Sequence, residues 1–211
     1  MNLRRRTLVL ALGLAPFGAL AQARPTAGLD YTELKPAQPV EVQGKIEVLE
    51  FFWYGCPHCY TLEPLLEKWI PTLPADAHFR RLPAVLSPGW ANEAAVFYAF
   101  EALGVLGRLH RPFFDAIHRD RLRTDNPQAL AEWLTRNGVN MKKFDEAMKS
   151  FGVQSKLRRA TQVSAAYRID GTPALAVNGR YTVSAEQGRT QQGMLAIAEH
   201  LIGVARKGGA G

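Results

Sequence analysis

Cysteine is nearly absent: 211 residues contain two, Cys56 and Cys59. So few cannot form a disulfide framework, and roughly 188 residues left after a leader can bury a core without one. A bridge between them would close a tiny loop and add little chain-entropy stabilisation. Zinc wants about four ligands. There is no second cysteine pair and no closely spaced histidine pair, the histidines beyond His58 being His78, His110, His118 and His200. Covalently attached haem needs a histidine directly after the second cysteine, where Tyr60 stands. A concentrated basic face is also missing. Positive residues are spread among acids (Arg80-Arg81, Arg119 to Arg123, Lys142-Lys143, Arg158-Arg159), which argues against nucleic acid as a partner. Internal repeats and low-complexity linkers are absent, and no stretch beyond the N-terminal segment has the length and apolarity to span a bilayer.

The N-terminal segment is apolar but short. Arg4, Arg5 and Arg6 precede an almost wholly apolar Thr7 to Ala21, interrupted by Pro16 and Gly18. Small-x-small sites end it at Ala19-Leu20-Ala21 and Ala21-Gln22-Ala23. This is the layout of a secretory signal peptide, residues 1–23, cleaved after Ala21 or Ala23. The arginines ahead of Thr7-Leu8-Val9 do not separate a general from a twin-arginine export route. Cleavage after Ala23 removes three arginines and no acid, taking the formal charge from +7 to +4. The mature chain is expected to be soluble outside the cytoplasm.

Residues 24–44 read as an extended lead-in with at most one edge strand. Lys45 to Trp53 is a strand, β-branched and aromatic, apolar on both faces near its end as a central strand is. Gly55 turns the chain. Leu62, Leu65, Leu66, Trp69 and Ile70 then follow helical spacing, with Pro64 inside the pattern and Pro71 and Pro74 ending it. Ala77 to Ala84 is a second strand. Four or five helical patterns come next, at about Trp90–Leu103, Val105–Arg119, Pro127–Arg136, Met141–Ser150 and Val153–Arg168. Asp125 or Asn126 caps the third and Asn140 the fourth. Ala174 to Val177, then Asn178-Gly179, then Arg180 to Val183 spell a hairpin. A last helix covers Thr190–Ala205. The order predicts an α/β protein in which one sheet domain (24–87 and 161–211) is interrupted by a helical domain (88–160).

The cysteines sit where strand gives way to helix, within Phe51-Phe52-Trp53-Tyr54-Gly55-Cys56-Pro57-His58-Cys59-Tyr60. Pro57 holds a favoured first-turn position. Residues i and i+3 of a first helical turn lie on one side, so the two sulfurs can bond. Unpaired N–H groups and the positive end of the helix dipole favour a thiolate at Cys56, and a protonated His58 imidazole would favour it further. Stabilising the thiolate stabilises the reduced form, which makes the disulfide an oxidant.

Glu50-Phe51-Phe52 ahead of Cys56-Pro57-His58-Cys59-Tyr60, on an exported chain with a helical insertion, resembles the DsbA family of periplasmic thiol:disulfide oxidoreductases. The resemblance runs from about Ile46 to the last helix. It implies a thioredoxin fold interrupted by an inserted helical domain, with Cys56 as exposed nucleophile and Cys59 as buried resolving thiol. By position, Thr172-Pro173 matches the family's cis-proline segment, where the residue before proline pairs with substrate backbone; Thr172 replaces the valine of the best-known members. Glu50, read alone, fits an exposed edge position, but the resemblance puts an acid here beneath the active site, exchanging the proton of Cys59. Arg81 stands roughly where the family has a lysine paired with that acid, and a permanently charged arginine would hold Glu50 more ionised. The activity implied is donation of the Cys56–Cys59 disulfide to exported polypeptides with free thiols. Reoxidation by a membrane quinone reductase of the DsbB type, a monomeric state, a periplasmic location and no cofactor beyond the disulfide follow from it. Alternatives are a disulfide isomerase or reductase of the same fold, or a peptide-binding or metallochaperone module whose cysteines do no redox chemistry.

Overall fold

A computed structural model describes residues 24–208; the expected signal peptide lies outside the described residues. Five strands form one sheet in the order β1 (Thr32–Glu33), β5 (Tyr181–Ser184), β4 (Ala174–Val177), β2 (Ile46–Phe52), β3 (Ala77–Pro83). β2 runs parallel to β3 and antiparallel to β4, so it is central, and all seven of its residues are buried. That is why its sequence lacks polar alternation. The β2–β3 crossover is α1 (Pro57–Trp69) with a short 3-10 turn at Ile70–Thr72, where Pro71 ends the regular helix.

Between β3 and β4 come α2 (Ala91–Ala102), α3 (Leu106–His118), α4 (Pro127–Arg136), α5 (Met141–Lys149) and α6 (Phe151–Ala166). Asn126 accepts from the backbone N–H groups of Gln128 and Ala129, and Asn140 from that of Lys143. These caps mark the starts of α4 and α5 as the sequence suggests. α6 continues through residue 160, where the sequence reading put a domain boundary, because Ser150 starts the helix and Tyr167 ends it.

The sheet separates two cores. Ile46, Val48, Leu175 and Val177 pack with Leu62 and Leu66 of α1 and with Met194 and Leu201 of α8 (Gln191–Lys207). Leu49, Phe51, Ala174 and Ala176 face the other way, against Val96, Phe100 and Phe113 of the helical block. Glu50 has the parity of Ile46 and Val48 and therefore lies on the face that α1 covers. A short helix, α7 (Ala185–Gly188), escaped the sequence reading. Its signal was the capping box in which Ser184 and Gln187 bond reciprocally.

Asn178 and Gly179 both have positive φ, 52° and 65°, closing the β4–β5 hairpin. A Cβ on Gly179 would also collide with the carbonyl oxygen of Gln38, whose N–H donates to Gly179 O at 2.8 Å. Gly179→Ala should therefore cost about 1–3 kcal/mol, read as a lower urea midpoint. An unchanged midpoint would mean the lead-in segment moves away freely.

Candidate active site

β2 delivers Trp53-Tyr54-Gly55 into a tight turn, closed by Cys56 N–H donating to Trp53 O at 3.0 Å. Gly55 is required there, since any Cβ would enter the Trp53 indole, itself stacked on Trp90 at 4.3 Å. Cys56 is the N-cap of α1 in extended conformation, with Pro57 in the first turn. Its Sγ accepts from the Cys59 backbone N–H at 3.4 Å. The thiol also donates to Thr172 O at 3.3 Å, a bond available only to the protonated sulfur.

These contacts set opposite acidities. The Cys59 thiol hydrogen bond to Cys56 is the largest influence, and with the Thr172 side chain and the backbone N–H groups of Cys59 and His58 it outweighs desolvation. The Cys56 thiol is brought from 9.0 down to about 5. Burial and the donated bond to Cys56 push Cys59 well above the usual thiol range. Both cysteines are free thiols.

Two expectations need correction. Cys56 is only 6% exposed, against 0% for Cys59. The Thr172-Pro173 segment lies against it, so it is a nearly covered nucleophile at the rim. The His58 imidazole is exposed to solvent. What His58 brings to the sulfur is its backbone N–H. Its carbonyl and the Thr61 hydroxyl are held by the Gln191 amide at 2.8 and 2.7 Å, tying α8 to the start of α1.

The Thr172–Pro173 peptide is cis, as the resemblance implies, and Pro173 is buried. Pro173 divides two surface hollows. One, of about 300 Å³, is bordered by His58, Ala185, Thr190 and Met194. The other, of about 390 Å³, is bordered by Ile169, Gly171, Thr182 and Gln187. An extended chain crossing Pro173 would meet both.

Glu50 is not an edge residue. It is 1% exposed in the central strand, paired in register with Arg81 on β3, and its Oε2 lies 3.1 Å from Arg81 Nε. Burial is the largest influence and lifts its carboxyl to about 8 against the pull of Arg81. The sequence reading expected an arginine to keep Glu50 ionised. It missed Glu63, which takes the same guanidinium at 2.6 Å, and His110, which lies 3.5 Å from Glu63. A signal was present: Glu63 follows Cys59 by four residues, hence on its face of α1, inside the apolar stripe of Leu62 and Leu66. Among the described residues no group of three or more His, Cys, Asp or Glu is placed to hold a metal ion, and no helix is long and apolar enough to cross a membrane.

Comparison with known proteins agrees with this geometry. Residues 77–196 match the family described as a DSBA-like thioredoxin domain. The thiol:disulfide interchange protein DsbA of Pseudomonas aeruginosa is 39% identical over 201 residues, covering 93% of this chain and 95% of the relative. The crystal structure of that organism's DsbA superposes with a TM-score of 0.82 at 38% identity, over 87% of this chain and 95% of that one. The oxidoreductase DsbA from Xylella fastidiosa gives 0.81 at 32% identity, over 88% and 100%. The fold is accordingly a thioredoxin fold carrying an inserted helical block.

Proposed function

The chain belongs to the DsbA family of thiol:disulfide oxidoreductases, and from that premise we propose that Cys56 and Cys59 form the disulfide it donates to exported polypeptides. The observation that carries the proposal is the asymmetry of the pair: a Cys56 thiol at about 5 above a Cys59 thiol held well above its ordinary range.

The chemistry follows from that asymmetry. A client thiolate attacks Cys56 Sγ; a client–Cys56 bond forms, the Cys56–Cys59 bond breaks, and the electron pair leaves on Cys59. Cys59, which favours its protonated form, takes a proton from Glu50. A second client thiolate then attacks the client sulfur and expels Cys56 as the stabilised thiolate. The client dithiol is thereby oxidised, the protein's disulfide is reduced, and the client's two protons are released to Glu50 and solvent. Thr172, beside Cys56 and ahead of Pro173, is the place for client backbone, with the flanking hollows taking side chains of varied shape. Pro57 starts the helix whose N–H groups hold the thiolate, and His58 supplies one of them.

The division proposed is a thioredoxin-fold domain at 24–87 and 161–211 around a helical domain at 88–160. The protein works in the periplasm after loss of the 1–23 leader, is recycled by a membrane quinone reductase of the DsbB type, and uses no cofactor beyond its disulfide. The lead-in segment supports a monomer rather than an isomerase-type dimer, because β1 pairs with β5 and Leu34 N–H donates to Arg180 O at 2.7 Å. That leaves no separate dimerisation domain in 24–45. Equilibration of the mature protein with glutathione buffers tests the donor role. The expected potential is far more oxidising than the roughly −270 mV of thioredoxin. A value near thioredoxin's would favour a reductase.

A further inference from the structure

Four charged or titratable side chains and one tyrosine form a buried series under the cysteines. Glu50 on β2 meets Arg81 Nε on β3 at 3.1 Å, and Arg81 Nη2 donates to Glu63 Oε1 on α1 at 2.6 Å. His110 Nε2 on α3 lies 3.5 Å from Glu63 Oε2, and its Nδ1 lies 2.8 Å from the Tyr54 hydroxyl. The side chains of Glu50, Glu63 and His110 are 1%, 3% and 9% exposed. One guanidinium between two buried carboxyls cannot neutralise both, so one carries the charge and the other is better protonated.

Further partners decide which. Glu63 has the shorter contact to Arg81, His110 on its second oxygen, and the charge of Arg111 from α3. Glu50 has Arg81 at the longer distance and Glu63 itself as an opposing charge, with Cys59 and Tyr54 as its other titratable surroundings. Resting on the donor role above, we propose that Glu63, oriented by His110, takes up the charge of Arg81 and so keeps Glu50 as the protonatable carboxyl serving Cys59. Arginine cannot discharge as a lysine can, so Glu63 supplies by competition what a titrating partner would supply by losing its proton. Glu63 and His110 are positioning residues, since they act through Arg81 and Glu50.

The titration directions agree. Burial lifts Glu50 to about 8, with Glu63 adding to the rise. Burial also works to raise Glu63, but His110 beside its second oxygen and the charges of Arg81 and Arg111 hold it below the usual carboxylate range. Burial lowers His110 despite Glu63. Neutral His110 accepts from Tyr54, whose hydroxyl stays protonated because burial raises it, and turns its Nε2 toward Glu63 Oε2 at 3.5 Å. The cluster then holds one positive and one negative charge. Glu63, His110, Arg81 and Arg111 also line a cavity of about 540 Å³, so solvent reaches this end while Glu50 stays covered.

The test is a carboxyl carbon-13 NMR titration of the oxidised, glutamate-labelled protein, with E50Q identifying the Glu50 signal. Wild type should titrate near 8. E63Q should lower the Glu50 midpoint by about one pH unit or more, a tenfold change in its proton affinity. H110F should lower it less, and H110Q, which keeps an N–H toward Glu63, less again. In the R81M background, E63Q should no longer produce a one-unit fall. A Glu50 midpoint unmoved or raised in E63Q overturns the proposal; if E63Q does not fold, the direction in H110F decides in the same way. The measurement needs no client and no potential, so it fails or stands separately from the donor role.

Discussion

Cys56→Ser is expected to leave no oxidation of a dithiol client above the uncatalysed rate, while Cys59→Ser, offered a client disulfide, exchanges with it and keeps the client as a mixed disulfide on Cys56. The difference follows from position. Cys56 caps α1, where the Cys59 N–H lies 3.4 Å from its sulfur, and it is the one of the pair at the rim. Cys59 is 0% exposed, so no client thiolate reaches it and its work is confined to leaving and resolving. Serine at 59 retains the backbone donor that holds the Cys56 thiolate but cannot expel the client from within. Fluorescent dithiol-peptide oxidation and mass spectrometry of non-reduced samples read the two outcomes. Full activity in Cys56→Ser would discard the redox reading and favour a peptide-binding module.

The second large effect is on stability and has a definite sign. An acid whose folded pKa lies below its unfolded value stabilises the fold above the unfolded value, and that stabilisation is lost as pH falls through the folded one. For Cys56 the window runs from about 5 to 9.0. The reduced protein should therefore gain stability over the oxidised protein as pH rises across that window and lose the advantage below it. Discounted by about half for solvent screening, the gain is on the order of 2–3 kcal/mol. Glu50 works oppositely, because its raised carboxyl loses stability as pH climbs from 4.5 to about 8. It is present in both redox states and largely cancels in the comparison. Cys59, raised further, opposes folding of the reduced protein only above the ordinary thiol value. Urea midpoints of both forms at pH 4.5, 7 and 9 check it. Oxidised protein more stable than reduced at pH 7 would sink both the linkage and the oxidising potential it implies.

Much of the fold was legible because its signals are local. Pro127 and Arg136 bound a helix in the sequence and in the structure, since Asn126 capping needs nothing beyond the next three residues. Asn178-Gly179 marked a hairpin because few other pairs tolerate two positive φ values. α7 was lost because a single turn has no periodicity to detect. Within the site, the cysteine pair and Pro57 were legible for the same local reason. The burial of Glu50 was not, because its exposure depends on β4 pairing beside β2, more than 120 positions along the chain.

The sequence by itself determined the reagent: two cysteines one helical turn apart, behind a buried strand and a proline, make a dithiol at a helix start. Tertiary structure alone decided how that dithiol is tuned. It brought the Thr172 carbonyl onto the Cys56 thiol, left the His58 imidazole in solvent, and set Glu63 and His110 around Arg81. Charge competition depends on distances of 2.6 against 3.1 Å between residues on three different elements, and spacing along one chain carries no information at that scale.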